Sequence, residues 1–141
     1  MKTEKIQYLN LIQKHIISFR KSCLWLKTLA IILFVTFIGN LALLKITTLS
    51  NGRLFFELAF MVLPVVALSF LDANYLKIER GFRYLYSYVR LDDKPADFSF
   101  NLKNHLHKID GLESAYFSWS VIGFYAPLVL VMSAIIVLQL L

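Results

Sequence analysis

The spacing of hydrophobic and polar positions divides this chain into stretches of different character. From Lys2 to Lys21, Ile6, Leu9, Ile16 and Phe19 are scattered among Lys2, Glu4, Lys5, Gln13, Lys14, Arg20 and Lys21. This predicts a moderately amphipathic N-terminal helix over residues 1–23, lying along a membrane surface or against a partner helix. The pattern then becomes almost continuously apolar over Leu24 to Leu44, Leu54 to Leu71 and Phe117 to Leu141. Each run is about the length a helix needs to cross roughly 30 Å of hydrocarbon.

Between the second and third runs a helical period returns. From Leu71 to Leu91, one side carries Tyr75, Ile78, Phe82, Leu85, Tyr86 and Val89, and the other carries Lys77, Arg80, Arg83, Ser87 and Arg90. The spacing predicts an amphipathic helix that continues the second apolar run out of the membrane. Asp92-Asp93-Lys94-Pro95 reads as its stop, and Asn101 to Ala115 as a short polar helix. Asn51-Gly52 is a turn signal within a short connection from Lys45 to Arg53. The expected fold is an all-α integral membrane protein with three transmembrane helices, an N-terminal amphipathic helix and a cytoplasmic helical connector. Its segments are the N-terminal helix (1–23), a transmembrane hairpin (24–71), a basic connector (72–116) and a C-terminal transmembrane helix (117–141).

Composition strengthens this picture. The 141 residues are 58% hydrophobic and 17% charged, well away from the usual balance of a soluble domain. The net charge of +6 gathers near the ends of apolar runs, where cations meet lipid headgroups, so the bilayer rather than nucleic acid is the expected partner. Lys2, Lys5, Lys14, Arg20, Lys21 and Lys27 flank the first run, and Lys77, Arg80, Arg83, Arg90, Lys94, Lys103 and Lys108 lie between the second and third. The first loop holds only Lys45 and Arg53, which places the N-terminus and the connector in the cytoplasm and the C-terminus outside. No cleavable signal is expected, so Leu24 to Leu44 would act as an uncleaved anchor. The single cysteine, Cys23, excludes an internal disulfide and reads as a packing residue.

A few polar groups interrupt the apolar runs. Lys27, one turn inside the first, can lay its stem in apolar surroundings while its ammonium reaches the interface beside Trp25. Thr36, Gly39 and Leu43 share a stripe suited to a close helix contact, and Asn40 could hydrogen-bond across helices. Glu57 lies about one turn inside the second run, four residues after Arg53, and reads as an interfacial pair or as a group facing a partner or pore. Pro64 and Pro127 are expected kinks.

No catalytic constellation emerges: there is no Gly-rich phosphate loop, no metal-ligand spacing and no Cys–His pair in a soluble core. His105 and His107 diverge by about 200° on a helix and have no partners to complete a metal site. No enzymatic activity, cofactor or metal is expected.

One motif does stand out. Tyr75-x-x-x-Glu79-Arg80-x-Phe82-Arg83-x-Leu85-Tyr86 follows an apolar helix, and Phe124-Tyr125-Ala126-Pro127-Leu128 lies in the last run. Together they resemble a family of small bacterial multi-span membrane proteins encoded near mobile-element or phage-defence genes. The resemblance implies a bacterial inner membrane and a defence role, with Gly81 interrupting the helical character of the motif. The expected function is a small homo-oligomeric effector that alters membrane permeability when a cytoplasmic protein or nucleotide signal engages the connector. Lys77, Arg80, Arg83 and Arg90 are its expected contacts with a partner or with headgroups. Two alternatives are a non-enzymatic scaffold that anchors a cytoplasmic protein and a holin-like pore former.

Overall fold

The computed structural model describes residues 2–44, 51–91 and 112–140, with side chains at 3–40, 60, 62–91 and 113–138. These residues form four helices: α1 (Lys2–Leu44), α2 (Asn51–Leu91), α3 (Leu112–Tyr116) and α4 (Trp119–Leu140). α1 has 43 residues and α2 has 41, so at 1.5 Å per residue each extends about 60 Å, roughly twice the hydrocarbon thickness. The expected N-terminal helix and first apolar run are one continuous helix. The second apolar run and the basic amphipathic stretch likewise merge in α2, which passes through both Pro64 and Gly81. α2 is described from Asn51, inside the stretch expected to be a connection, to Leu91, and the expected stop at residues 92–95 lies outside the described residues. Residues 92–111, including His105 and His107, lie outside the described residues.

α1 and α2 pack antiparallel, with Lys5 meeting Arg90, Arg20 meeting Glu79 and Lys27 meeting Asp72. Buried and half-buried positions recur every seven residues on both. On α1 they are Ile12, Phe19, Leu26 and Leu33, interleaved with Ile16, Cys23, Ala30 and Phe37. On α2 they are Leu68, Tyr75, Phe82 and Val89, interleaved with Val65, Asp72, Glu79 and Tyr86. Two interleaved seven-residue series keep a seam facing its partner helix over many turns, as in a coiled coil.

The seam supports two separate cores. Near the N-terminus of α1, Tyr8, Ile12, Phe82 and Leu85 are buried, with Ile16, Phe19, Ile78, Tyr86 and Val89 packed on them. Phe82 stacks on His15 and Phe19, with ring centroids 5.4 and 5.5 Å away. This two-helix part is a stalk, and the face read as apolar from sequence is the one that packs on α1. Ile6, expected on the apolar side of the N-terminal helix, is exposed. In the other core α4 joins as a third helix, around Ala30, Phe37, Val65, Ala73, Val121, Tyr125, Met132 and Ile136.

Among the described residues, two helices, over Thr3–Asn40 and Trp119–Leu138, are long and apolar enough to cross a membrane. Only 17% and 22% of their most apolar windows are buried, so most of that surface faces outward instead of forming a core. Leu24, Val35, Leu130 and Leu138 are among the outward side chains. Such a belt suits contact with lipid. The side chains of the first part of Leu54–Leu71 lie outside the described residues. Gly39 has open space where a Cβ would stand, and the Thr36 hydroxyl bonds the Ile32 carbonyl of its own helix at 2.8 Å. At Gly39 the close contact expected of that stripe is therefore not made among the described residues.

Phe82→Ala should remove about 3 kcal/mol from the stalk, because its ring fills the seam between two stacked aromatics. In detergent, tryptic cleavage after Lys14 and Lys21 should then accelerate by on the order of a hundredfold. An unchanged cleavage rate would show that the stalk does not depend on this layer.

Candidate functional site: a charged clasp across three helices

Where the stalk meets the three-helix part, Lys27 reaches both neighbouring helices. Its ammonium donates to the Ser120 hydroxyl of α4 at 2.9 Å and lies 3.6 Å from Asp72 Oδ2 of α2. It also stands 5.8 Å from the centroid of the Phe124 ring. The Asp72 side chain is 2% exposed and that of Lys27 is 21% exposed. The Cys23 thiol, one turn before Lys27, faces the same carboxyl group. Asp72 Oδ2, the Tyr125 hydroxyl and Ser118 Oγ are buried with no hydrogen-bond partner among the described residues, so Lys27 acts on Asp72 Oδ2 by charge across 3.6 Å and not by a hydrogen bond. A carboxylate removed from water costs several kcal/mol unless a cation compensates it, so Asp72 requires Lys27 far more than an exposed pair would.

Asp72 is at the seam because it occupies one of the seven-residue positions of α2, and Glu79 occupies the next. Glu79 is also buried, and Arg20 approaches its Oε1 at 3.7 Å. From Arg20 to Lys27 is seven residues on α1, and from Asp72 to Glu79 is seven on α2, so the two ion pairs form rungs one heptad apart. A slip by one heptad keeps one rung and destroys the other. Shifted one way, Lys27 meets Glu79 and Asp72 is set opposite Phe34; shifted the other way, Arg20 meets Asp72 and Glu79 is set opposite Gln13. The first slip leaves Asp72 without a cation; the second pairs Asp72 with Arg20 and costs Glu79 its cation from α1, leaving it Arg83 of its own helix. The observed register is therefore the one in which both acids meet a cation across the seam. The rungs differ in strength: the Arg20 side chain is 60% exposed, so its attraction is screened by water, whereas Lys27 is largely enclosed.

Most expected contact residues have intramolecular roles. Arg83 pairs with Glu79 one turn earlier, its Nε donating to Oε1 at 3.1 Å. Arg80 Nη1 donates to the Ser114 carbonyl at 3.5 Å and to its hydroxyl at 3.4 Å, joining α3 to α2. The Arg90 carbonyl accepts from Lys5 Nζ at 3.4 Å, while the Arg90 side chain is exposed. Lys77 is half-buried and meets no carboxylate among the described residues. Asn40 is half-buried near the far end of α1, with no hydrogen bond among the described residues. Glu57 is on α2, with its side chain outside the described set. Pro64 and Pro127 both lie inside helices that continue past them. Trp119 is highly exposed, yet its ring lies over Gly123, where a Cβ would come within 3.3 Å of it.

From the sequence alone Lys27 reaches for the interface, and position 72 only begins the basic connector. The signal that joins them is the matched seven-residue offset of Arg20 and Lys27 against Asp72 and Glu79. It has meaning only once the two helices are known to run antiparallel. Among the described residues, no group of three or more His, Cys, Asp or Glu side chains could hold a metal ion. No family model, curated protein or solved structure matches the chain.

Lys27→Met should lower stability by about 3 kcal/mol by leaving Asp72 buried and unpaired. The double variant Lys27→Met/Asp72→Leu, which removes both charges, should recover most of that loss, as read from thermal unfolding in detergent. A single variant as stable as the wild type would show that the clasp contributes no stability.

Proposed function

We propose that this chain is a small integral membrane effector that alters the permeability of a bacterial inner membrane when its cytoplasmic stalk is engaged. In this reading Leu24–Leu44, Leu54–Leu71 and Phe117–Leu141 are three spans. The stalk side carries most of the cations and faces the cytoplasm, and the C-terminus faces outward. The observation that carries the proposal is the continuity of α2 together with the clasp at the foot of the stalk. A protein or nucleotide signal that displaces the stalk moves an unbroken helix and strains the one side chain tying it to both α1 and α4.

Oligomer formation is part of the proposal. Asn40 is half-buried in apolar surroundings and finds no partner among the described residues, and a second copy of the chain would supply one. The defence setting rests on the motif resemblance alone.

A second reading, the membrane scaffold, is favoured by the charge distribution of the stalk. Asp72 and Glu79 turn into the seam, while Lys14, Lys21, Arg83 and Arg90 are exposed, which suits an acidic cytoplasmic partner.

Induced expression should depolarise cells, as read by a potential-sensitive dye, and Lys27→Met should do so without any stimulus because the clasp is already open. Membrane potential that stays intact for both proteins would sink the effector reading, and a stoichiometric soluble partner recovered from such cells would favour the scaffold. An alkaline phosphatase fusion should be active at the C-terminus and inactive at the N-terminus; the reverse pattern would overturn the orientation.

A further inference from the structure

A cavity of about 330 Å³ lies between α2 and α4, lined by Val66 and Ser69 on one side and by Val121, Ala126, Val129 and Leu130 on the other. Its walls are mostly apolar, and the Ser69 hydroxyl donates to the Val66 carbonyl of its own helix at 2.7 Å. Tyr116 borders the cavity and stacks on Phe70, with ring centroids 4.9 Å apart. Phe70 and Leu130 beside it are exposed and belong to the outward apolar belt, so a molecule entering from this side comes from hydrocarbon.

The same face of α2 changes character towards the stalk. Val66, Phe70, Ala73, Lys77 and Arg80 follow one another at steps of three or four residues and therefore share one side of the helix. Lys77 lies eight residues beyond Ser69, about 12 Å along the axis. Asp72 and Glu79 point to the opposite side, into the seam with α1, and cannot neutralise this cation. Arg80 stands one turn further on, held through Nη1 alone. An apolar cavity in the bilayer zone, with cations about two turns away at headgroup level that meet no carboxylate among the described residues, has the charge and shape complementarity of one amphiphile.

We infer that this face of α2 binds an anionic phospholipid of the surrounding bilayer. One acyl chain occupies the cavity beneath Tyr116, and Lys77, with Arg80 behind it, holds the phosphate. The inference rests on the membrane reading above. The described lining comes from α2, α3 and α4, so a bound lipid packs α4 against α2, and Tyr125, which also lines the cavity, is the side chain it shares with the clasp.

The test is native mass spectrometry of the full chain released from mild detergent in the presence of phosphatidylglycerol or phosphatidylcholine. Phosphatidylglycerol should be retained preferentially, by about fivefold, as expected for one cation near a membrane surface. Lys77→Glu should abolish the preference, with Lys77→Gln as a milder form that keeps the stem. Ala126→Phe, which fills the cavity, should reduce retention of both lipids. Unchanged helical content and thermal midpoint are required of each variant; if Ala126→Phe does not fold, Val129→Phe replaces it. Equal retention of the two lipids by the wild type, or retention unchanged by Lys77→Glu, overturns the inference. Headgroup preference that survives with full lipid retention in the cavity-filled variant also overturns it, since charge alone would then explain binding. Extraction of the chain from membranes by alkaline carbonate would instead count against the membrane reading, a result separable from lipid selectivity.

Discussion

The arrangement of this protein depends on the buried carboxyl group of Asp72 and the need to compensate it. An apolar seam alone tolerates sliding, because one aliphatic layer resembles the next. Acids placed in that seam do not, since a slip by one heptad leaves either Asp72 or Glu79 facing an uncharged side chain of α1. Lys27 meets this need from α1, and its 2.9 Å bond to Ser120 brings α4 into the same arrangement. One side chain thus fixes the register of the long hairpin and the docking of the third helix. The second rung, Arg20 with Glu79, repeats the device closer to water, where it is weaker but points to the same register.

This construction explains why the stalk and the outward-facing apolar part behave as one unit. α1 and α2 pass from one environment to the other without a break, and the seven-residue pattern changes its contents but not its phase. Aromatic side chains fill it in the stalk, where Phe82 stacks on His15 and Phe19 and Tyr75 packs at a tilt on Phe19. Smaller side chains such as Cys23 and Ala30 stand in it where a third helix must fit. The charged rungs lie at the junction, the level at which a Lys stem can rest on apolar surface while its head remains close to water. Nearby hydroxyls do not compete for Lys27: Ser22, Thr28 and Ser69 each donate to carbonyls of their own helix.

The charge that remains outside is also set by this seam. Because Asp72 and Glu79 are turned inward, the described stalk surface is richer in cations than the composition alone implies. Positive charge that looked in sequence like one basic helix face is divided three ways. Arg83 is paired within α2, Arg80 is bonded to α3, and Lys77 stands over a face that leads to an apolar cavity. Their different roles follow from their different neighbours, not from their shared charge.

The sequence by itself determined the helical character, the apolar runs and the direction in which the Leu71–Leu91 stretch buries its faces. These are local properties: hydrophobic spacing repeats within a single helix, and Pro95 limits how far the helix before it can extend. It also marked Lys27 and Cys23 as side chains at the edge of an apolar run. Only the tertiary structure decided that α1 lies antiparallel along α2 and that Lys27 meets Asp72, forty-five positions away in the chain. Likewise, only packing left Gly39 facing open space and gave Arg80 to Ser114. A hydrophobic period says which side of a helix is buried but not which helix covers it. Charge pairing across helices depends on register, and register is a property of two segments together.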